Sequence, residues 1–368
     1  LYFLLTLTFP SSHRLTSACS ILLISPQNRI LLLHRVKTSS SFPSAHVFPG
    51  GNLSAKQDGE IPSPNDPRRH VDGAAYRLGA IRECFEESGI LLAKKRGSEH
   101  EVLQLPQQEL ERARKEIHAG KRKFKDWVAE RGGVPDTEGL VPFTRWITPT
   151  NIPRRFTTQM YLYFLPLEAE PHAEGERGAG GGSKAGAAGA AAAAGKEVSV
   201  TMTEPTSDGG LEHTTATFDD VAVWLDKARR NEIILFPPQF YLMYLLAPFF
   251  SSKKEQSFAG GLTREELQRQ RDEALRFVTD EDEVNGVSWA EKCISPQGLL
   301  MRKGDGRSVL ALDRPGREVE AQGHGERKGD SQRVVLVKFG KEGPRDVEVR
   351  WKKEVLEEER RAKGEAKL

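Results

Sequence analysis

The stretch Arg82-Glu83-Cys84-Phe85-Glu86-Glu87-Ser88-Gly89-Ile90, with Phe48-Pro49-Gly50-Gly51 upstream, decides how this chain is read. Taken as a helix, it places Glu83, Glu86 and Glu87 at i, i+3 and i+4, on one face within about a single turn. Like charges at that spacing repel by about 0.2–0.5 kcal/mol per pair. No cation follows at i+4 on that face to relieve them, whereas a bound divalent metal would. Leu78, Ile81 and Phe85 form the opposite, apolar stripe. Gly89 stands where a helix C-terminal glycine belongs, and Gly50-Gly51 lets backbone approach a ligand closely. A solvated acidic face would explain the glutamates alone; the glycines on either side favour a site.

Arg82 to Ile90 also fits the pattern Arg-Glu-hydrophobe-x-Glu-Glu-x-Gly-hydrophobe throughout, and so resembles the second half of the Nudix box. The resemblance implies an α/β/α sandwich with a mixed sheet, Mg2+ or Mn2+ as cofactor, and a nucleoside diphosphate linked to another group as substrate. It implies that Glu86 and Glu87 are metal ligands, that Glu83 is a further ligand or the general base, and that Arg82 orients the carboxylates. The first half of the box departs from the family. The expected glutamate position holds Ala74 and the expected glycine position holds Arg68. The long loop after Gly51, through Asp58-Gly59 and Ile61-Pro62-Ser63-Pro64, reads as an insertion inside the box. Asp58 and Asp72 are possible substitutes for the missing acid, with Asp72 expected as a helix cap.

Over roughly residues 19–246 the chain resembles the peroxisomal coenzyme A and acyl-coenzyme A diphosphatases, including fungal members. Ala45 to Gly51, Trp146-Ile147-Thr148-Pro149 with Arg154-Arg155-Phe156, and Pro237-Pro238-Gln239-Phe240-Tyr241 carry this. Arg35 and Phe48 to Gly51 fit the coenzyme A signature at the right spacing. Val36, Ser40 and Ser44 replace its small residue, arginine and glycine. The resemblance implies substrate contacts from Arg35, Gly50, Gly51, Arg154 and Arg155, with Lys37 and His46 as further sources of positive charge. Pro237 to Tyr241 is expected to pack a helix start, Trp146 and Trp224 to line core or pocket, and Arg68, Arg69 and His70 to form a solvated loop.

The remaining composition narrows the field. The 368 residues carry a net charge of +2, so no general attraction to nucleic acid or to a membrane surface is expected. Three scattered cysteines, Cys19, Cys84 and Cys293, give neither a disulfide framework nor a zinc spacing. Leu1 to Pro10 is apolar, too short to span a bilayer, and has no basic lead-in of a signal peptide. The chain starts without Met, as a fragment or a gene-model artefact would.

Residues 1–18 read as a segment of uncertain origin and 19–250 as the Nudix domain. A Gly/Ala-rich insertion at about 170–212 interrupts that domain; with nothing to bury, it is expected to be disordered. Cys19–Ile24 and Arg29–Leu33 read as a buried hairpin, 107–119 and 122–130 as helices, and 140–148 and 157–167 as strands. Val221 to Leu225 reads as a strand passing into a helix. In the extension, 251–368, Thr263-Arg264-Glu265-Glu266 signals a capped helix, three short apolar runs a β-meander, and 352–363 a charged helix.

The favoured function is hydrolysis of coenzyme A or acyl-coenzyme A to 3′,5′-ADP and (acyl-)4′-phosphopantetheine. A dinucleotide or nucleotide-sugar pyrophosphatase is the alternative, and a catalytically silent nucleotide- or protein-binding module the alternative of another class. Ala366-Lys367-Leu368 resembles a peroxisomal address read by an import receptor, with mitochondrion or cytosol as the other options.

Overall fold

The computed structural model describes residues 15–36, 44–167, 205–206, 213–250, 262–284 and 286–365. Leu1 to Pro10, Lys37, Ser40, most of the Gly/Ala-rich insertion and the Ala366-Lys367-Leu368 tail lie outside the described residues.

Leu15–Ile24 (β1) and Ile30–Arg35 (β2) form the expected hairpin around a turn with Asn28 at φ 57°. β1 is apolar on both faces because both are covered. Leu22 and Ile24 enter one core, while Cys19, Ile21 and Leu23 enter another, as the two-residue strand period requires. His46–Val47 (β3) pairs with β2, and Gly50–Asn52 (β4) with β1. The box insertion then holds Ala55–Asp58 (α1) and leads into Ala74–Ser88 (α2).

Ala93–Lys95 (β5) pairs with Gly133–Pro135 (β6). Gln107–His118 (α3) and Phe124–Glu130 (α4) lie between them in sequence. The long central strands are Val141–Ile147 (β7) and Arg155–Phe164 (β8). β8 runs parallel to all of β1. His213–Asp219 (β9) returns beside β2. With Cys293–Ile294 (β10) beside β7, the result is a mixed eight-stranded sheet of order β10-β7-β8-β1-β2-β3, with β4 and β9 joined to it.

Helices cover both faces. α2, α3 and α4 pack one side through Ile81, Phe85, Ile117 and Trp127. Val221–Arg229 (α5), Pro237–Phe250 (α6) and Arg264–Thr279 (α7) pack the other through Trp224, Phe240, Leu246 and Ala274. α7 carries the expected capping box, with Thr263 and Glu266 bonded reciprocally. A second sheet follows: Gln297–Met301 (β11), Ser308–Leu312 (β12), Asp330–Gly340 (β13) and Gly343–Trp351 (β14). Arg317–Ala321 (α8) interrupts it and Lys352–Glu365 (α9) closes the chain. Val335, Val337, Val347 and Val349 of this sheet share the core of α6. The fold is thus α/β/α with an added C-terminal sheet and helix.

Three local expectations are corrected. Val221 to Leu225 is helical, not strand, because Val221, Trp224, Leu225 and Ala228 are the buried positions, at helical spacing. Asp72 is not the cap of α2; Gly73 holds that position, while Asp72 accepts from Arg77 at 2.6 Å and from the Tyr161 hydroxyl. Arg69 and His70 are not a solvated loop. Both are buried, Arg69 donates to the Leu15 and Pro62 carbonyls, and His70 meets the Thr157 hydroxyl. The insertion folds back over the sheet end, so Arg69 meets backbone and His70 a hydroxyl, while Arg68 stays exposed and pairs with Asp66.

Candidate active site

The site is built on the last turn and a half of α2. Ile81, Cys84 and Phe85 are fully buried beneath it, with Phe85 stacked on Trp127 at 5.2 Å. Gly89 ends the helix in the left-handed region at φ 76°, its N–H on the Phe85 carbonyl. Arg114 of α3 donates to the carbonyls of Glu86 and Glu87. A buried cation on the negative end of a helix is favourable, and here it also fixes the backbone that carries the two acids.

Arg82 organises the carboxylates. It is 4% exposed, and one nitrogen, Nη1, lies 2.8 Å from both Glu83 Oε1 and Glu86 Oε1. Its Nε and Nη2 grip Asp58 at 2.7 and 2.9 Å. The repulsion among the glutamates is therefore relieved from the N-terminal side, by Arg82, although no cation follows them. Asp58, carried by the inserted loop, thus meets the acid cluster through Arg82, whereas Asp72 is bonded to Arg77 and Tyr161.

The Gly50-Gly51 turn presses on the same acids. The Gly50 N–H donates to Glu87 Oε2 at 2.7 Å, and Gly50 sits at φ 156°. A Cβ on Gly51 would stand 2.6 Å from the Glu83 carboxylate, so a side chain there would push Glu83 aside. Burial lifts the Glu83 carboxyl to about 7; Arg82 pulls it down, while Glu86 and Asp58 add to the rise. Burial likewise pushes the Cys84 thiol up to about 12, so it stays protonated.

Two histidines that sequence reasoning passed over also reach the acids. His118 Nδ1 at the end of α3 lies 3.3 Å from Glu86 Oε2. Buried His213 on β9 places Nε2 3.6 Å from Glu87 Oε1. For His118 a signal existed, because Arg114 and His118 stand four apart on one helix face. His213 had none, since its approach depends on β9 pairing with β2 across the whole insertion.

The proposed substrate contacts separate. Gly50 and Gly51 touch the acids, and Arg35 is half-buried at the end of β2, in register with His213. Arg154 is exposed just before β8. Arg155 is buried, bonded to the Thr148 and Pro149 carbonyls and paired with Glu318 at 2.7 Å. It aligns with Leu15, whereas Gly51 aligns with Cys19. Four residues of strand at about 3.3 Å each separate the two levels by about 13 Å.

A family profile described as the NUDT19 Nudix domain matches residues 64–178, which include Arg82, the three glutamates, Arg154 and Arg155. Residues 64–178 are thus similar to a Nudix domain. "Putative nudix hydrolase 7" of Caenorhabditis elegans is 32% identical over 147 residues, 40% of this chain and 43% of that protein. "Acyl-coenzyme A diphosphatase NUDT19" of Gallus gallus is 26% identical over 285 residues, 65% of this chain. Its Homo sapiens counterpart is 25% identical over 283 residues. The chain spans 66% of the length of each of these last two. A Nudix hydrolase structure from Alicyclobacillus acidocaldarius aligns at TM-score 0.42 and 19% identity, over 68% of this chain and 99% of that one. The chain is thus similar to proteins named NUDT19 over about two thirds of its length.

Nudix hydrolases generally use divalent metals, and the donor set here fits one in kind. Hard carboxylate oxygens suit Mg2+ and Mn2+, and those of Glu83 and Glu86 already converge on one cationic nitrogen. Among the described residues no group of three His, Cys, Asp or Glu is placed to hold an ion; Arg82 and the Gly50 N–H engage the acids instead. No helix among the described residues is long and apolar enough to cross a membrane.

Proposed function

We propose that this Nudix chain hydrolyses the pyrophosphate of coenzyme A or an acyl-coenzyme A, giving 3′,5′-ADP and (acyl-)4′-phosphopantetheine. The observation that carries it is the convergence of Glu83 and Glu86 on Arg82 beneath the Gly50-Gly51 turn, beside Glu87. Glu83, Glu86 and Glu87 would hold Mg2+ or Mn2+, and that ion would neutralise the diphosphate oxygens and acidify a water.

The chain's own residues do the rest. Arg82, tied to Asp58, keeps the carboxylates facing one way. Glu83, whose burial favours the protonated form, takes the proton of the attacking water once it is ionised. Gly50 and Gly51 bring backbone to the acids without side chains in the way. In this reading Arg35, beside His213, would meet a phosphate of the nucleotide half. Arg155 belongs to the fold through Glu318, which leaves Arg154 as the other cationic contact in this reading. The branch of the named relatives supports coenzyme A over dinucleotides and nucleotide sugars.

The test is a panel of coenzyme A, acyl-coenzyme A, ADP-ribose, NADH and dinucleoside polyphosphates with each metal. Reaction in ¹⁸O-water with mass spectrometry locates the bond cut. A dinucleotide or nucleotide sugar turned over faster than every coenzyme A species would overturn the substrate assignment. A protein inactive on the whole panel would overturn the enzyme assignment.

A further inference from the structure

We propose that His118 is an imidazole ligand of the metal site on α2 and biases it toward a transition-series ion such as Mn2+ over Mg2+. This rests on the metal site proposed above and adds a donor outside the acidic stretch.

Three observations carry it. Glu86 uses its two oxygens differently. Oε1 faces Arg82 at 2.8 Å, and Oε2 faces His118 Nδ1 at 3.3 Å. A charge-assisted hydrogen bond would close to about 2.7–2.9 Å. Two neighbouring ligands on an octahedral ion, each bonded at about 2.1 Å, stand about 3.0 Å apart. At 3.3 Å the two atoms are close enough for one ion to reach both. Glu86 can offer Oε2 to an ion without releasing Arg82.

The second observation is how His118 is held. Arg114, four residues earlier, bonds the Glu86 and Glu87 carbonyls and clamps α3 against α2. One helical turn later, that geometry puts residue 118 over the Glu86 side chain. The His118 side chain is 42% exposed, so it can adjust toward an ion. The third is a second imidazole at the same acids, with His213 Nε2 3.6 Å from Glu87 Oε1.

An all-oxygen site suits Mg2+, which also keeps several waters. Imidazole shifts preference toward later divalent ions.

The experiment uses the full chain, stripped of metal and reloaded with Mn2+, in wild type and His118→Gln. Pulsed electron paramagnetic resonance should show histidine nitrogen coupled to Mn2+. The coupling should change when histidine is ¹⁵N-labelled and vanish in His118→Gln. By calorimetry the variant should lose about tenfold or more in Mn2+ affinity, with Mg2+ affinity falling less. Bound Mn2+ without nitrogen coupling overturns the proposal, as does an unchanged Mn2+-to-Mg2+ affinity ratio. Coupling that survives His118→Gln but disappears in His213→Gln also overturns it, because the ligand is then the other imidazole. A wild type that binds neither ion refutes the metal site itself, a result distinct from binding without nitrogen.

Discussion

Replacing Glu83 with Gln should stabilise the metal-free protein above neutral pH and not below about pH 5. Burial raises the Glu83 carboxyl from its usual 4.5 to about 7 in the fold. The folded chain therefore binds this proton more tightly than the unfolded chain does. That contribution is fully present below the unfolded value, and it is lost as pH rises through the folded one. At about 1.4 kcal/mol per unit, the shift corresponds to on the order of 3 kcal/mol. Coupling to Glu86, Asp58 and Arg82 shares this out, so about 2 kcal/mol is the working expectation. Glutamine cannot ionise and escapes the loss. Its amide oxygen can still accept from Arg82 Nη1, and the charge assistance it lacks is already contained in the folded value of the Glu83 carboxyl. Urea unfolding in chelator, from about pH 5 to about pH 8, would measure both proteins. Wild type should lose stability relative to Glu83→Gln across that range. Saturating Mg2+ should reverse the trend in wild type, because a metal ligand must be deprotonated. Parallel pH profiles for the two apo proteins would refute the reasoning.

Glu86→Gln and Glu87→Gln should each lower hydrolysis of coenzyme A by at least about a hundredfold without lowering the apo melting temperature; near-wild-type turnover in both would remove the metal site. Asp58→Ala strips Arg82 of its bidentate partner in a buried place, so chemical denaturation should show a loss of about 3–5 kcal/mol. Arg155→Ala removes a buried cation from half-buried Glu318 and should destabilise by about 1–3 kcal/mol, whereas Arg154→Ala, at an exposed position, should lower the melting temperature less. If an arginine reads the 3′-phosphate, dephospho-coenzyme A should be about tenfold to hundredfold poorer in kcat/KM, from a charge-assisted bond of about 1.5–3 kcal/mol. Arg35→Ala or Arg154→Ala should then narrow that gap, and an equal gap in both variants argues against these contacts.

Much of the fold was legible because its signals are local. The Arg82–Ile90 stretch, the capping box at Thr263 and the apolar runs of β1 and β2 each depend on neighbours a few residues away. Val221 to Leu225 misled because β-branched residues imitate a strand, whereas burial at i, i+3 and i+4 makes them helical. Arg69 and His70 misled because charge suggests water, and the insertion instead carries them onto the sheet end. Arg155 could not be told from Arg154 in sequence; strand alternation turns one inward to Glu318 and leaves the other exposed.

The sequence by itself determined the α/β class, the helix that bears Glu83, Glu86 and Glu87, and the glycine turn that must approach it. Those follow from helical period, strand period and the absence of side chains at Gly50 and Gly51. Only the tertiary structure decided which acid pairs with Arg82, which arginine is spent on the fold, and which histidines face the carboxylates. Asp58 precedes Arg82 by 24 residues, and His213 lies beyond the Gly/Ala-rich insertion. Side chains so far apart along the chain meet only when the sheet closes, and no local propensity encodes that meeting.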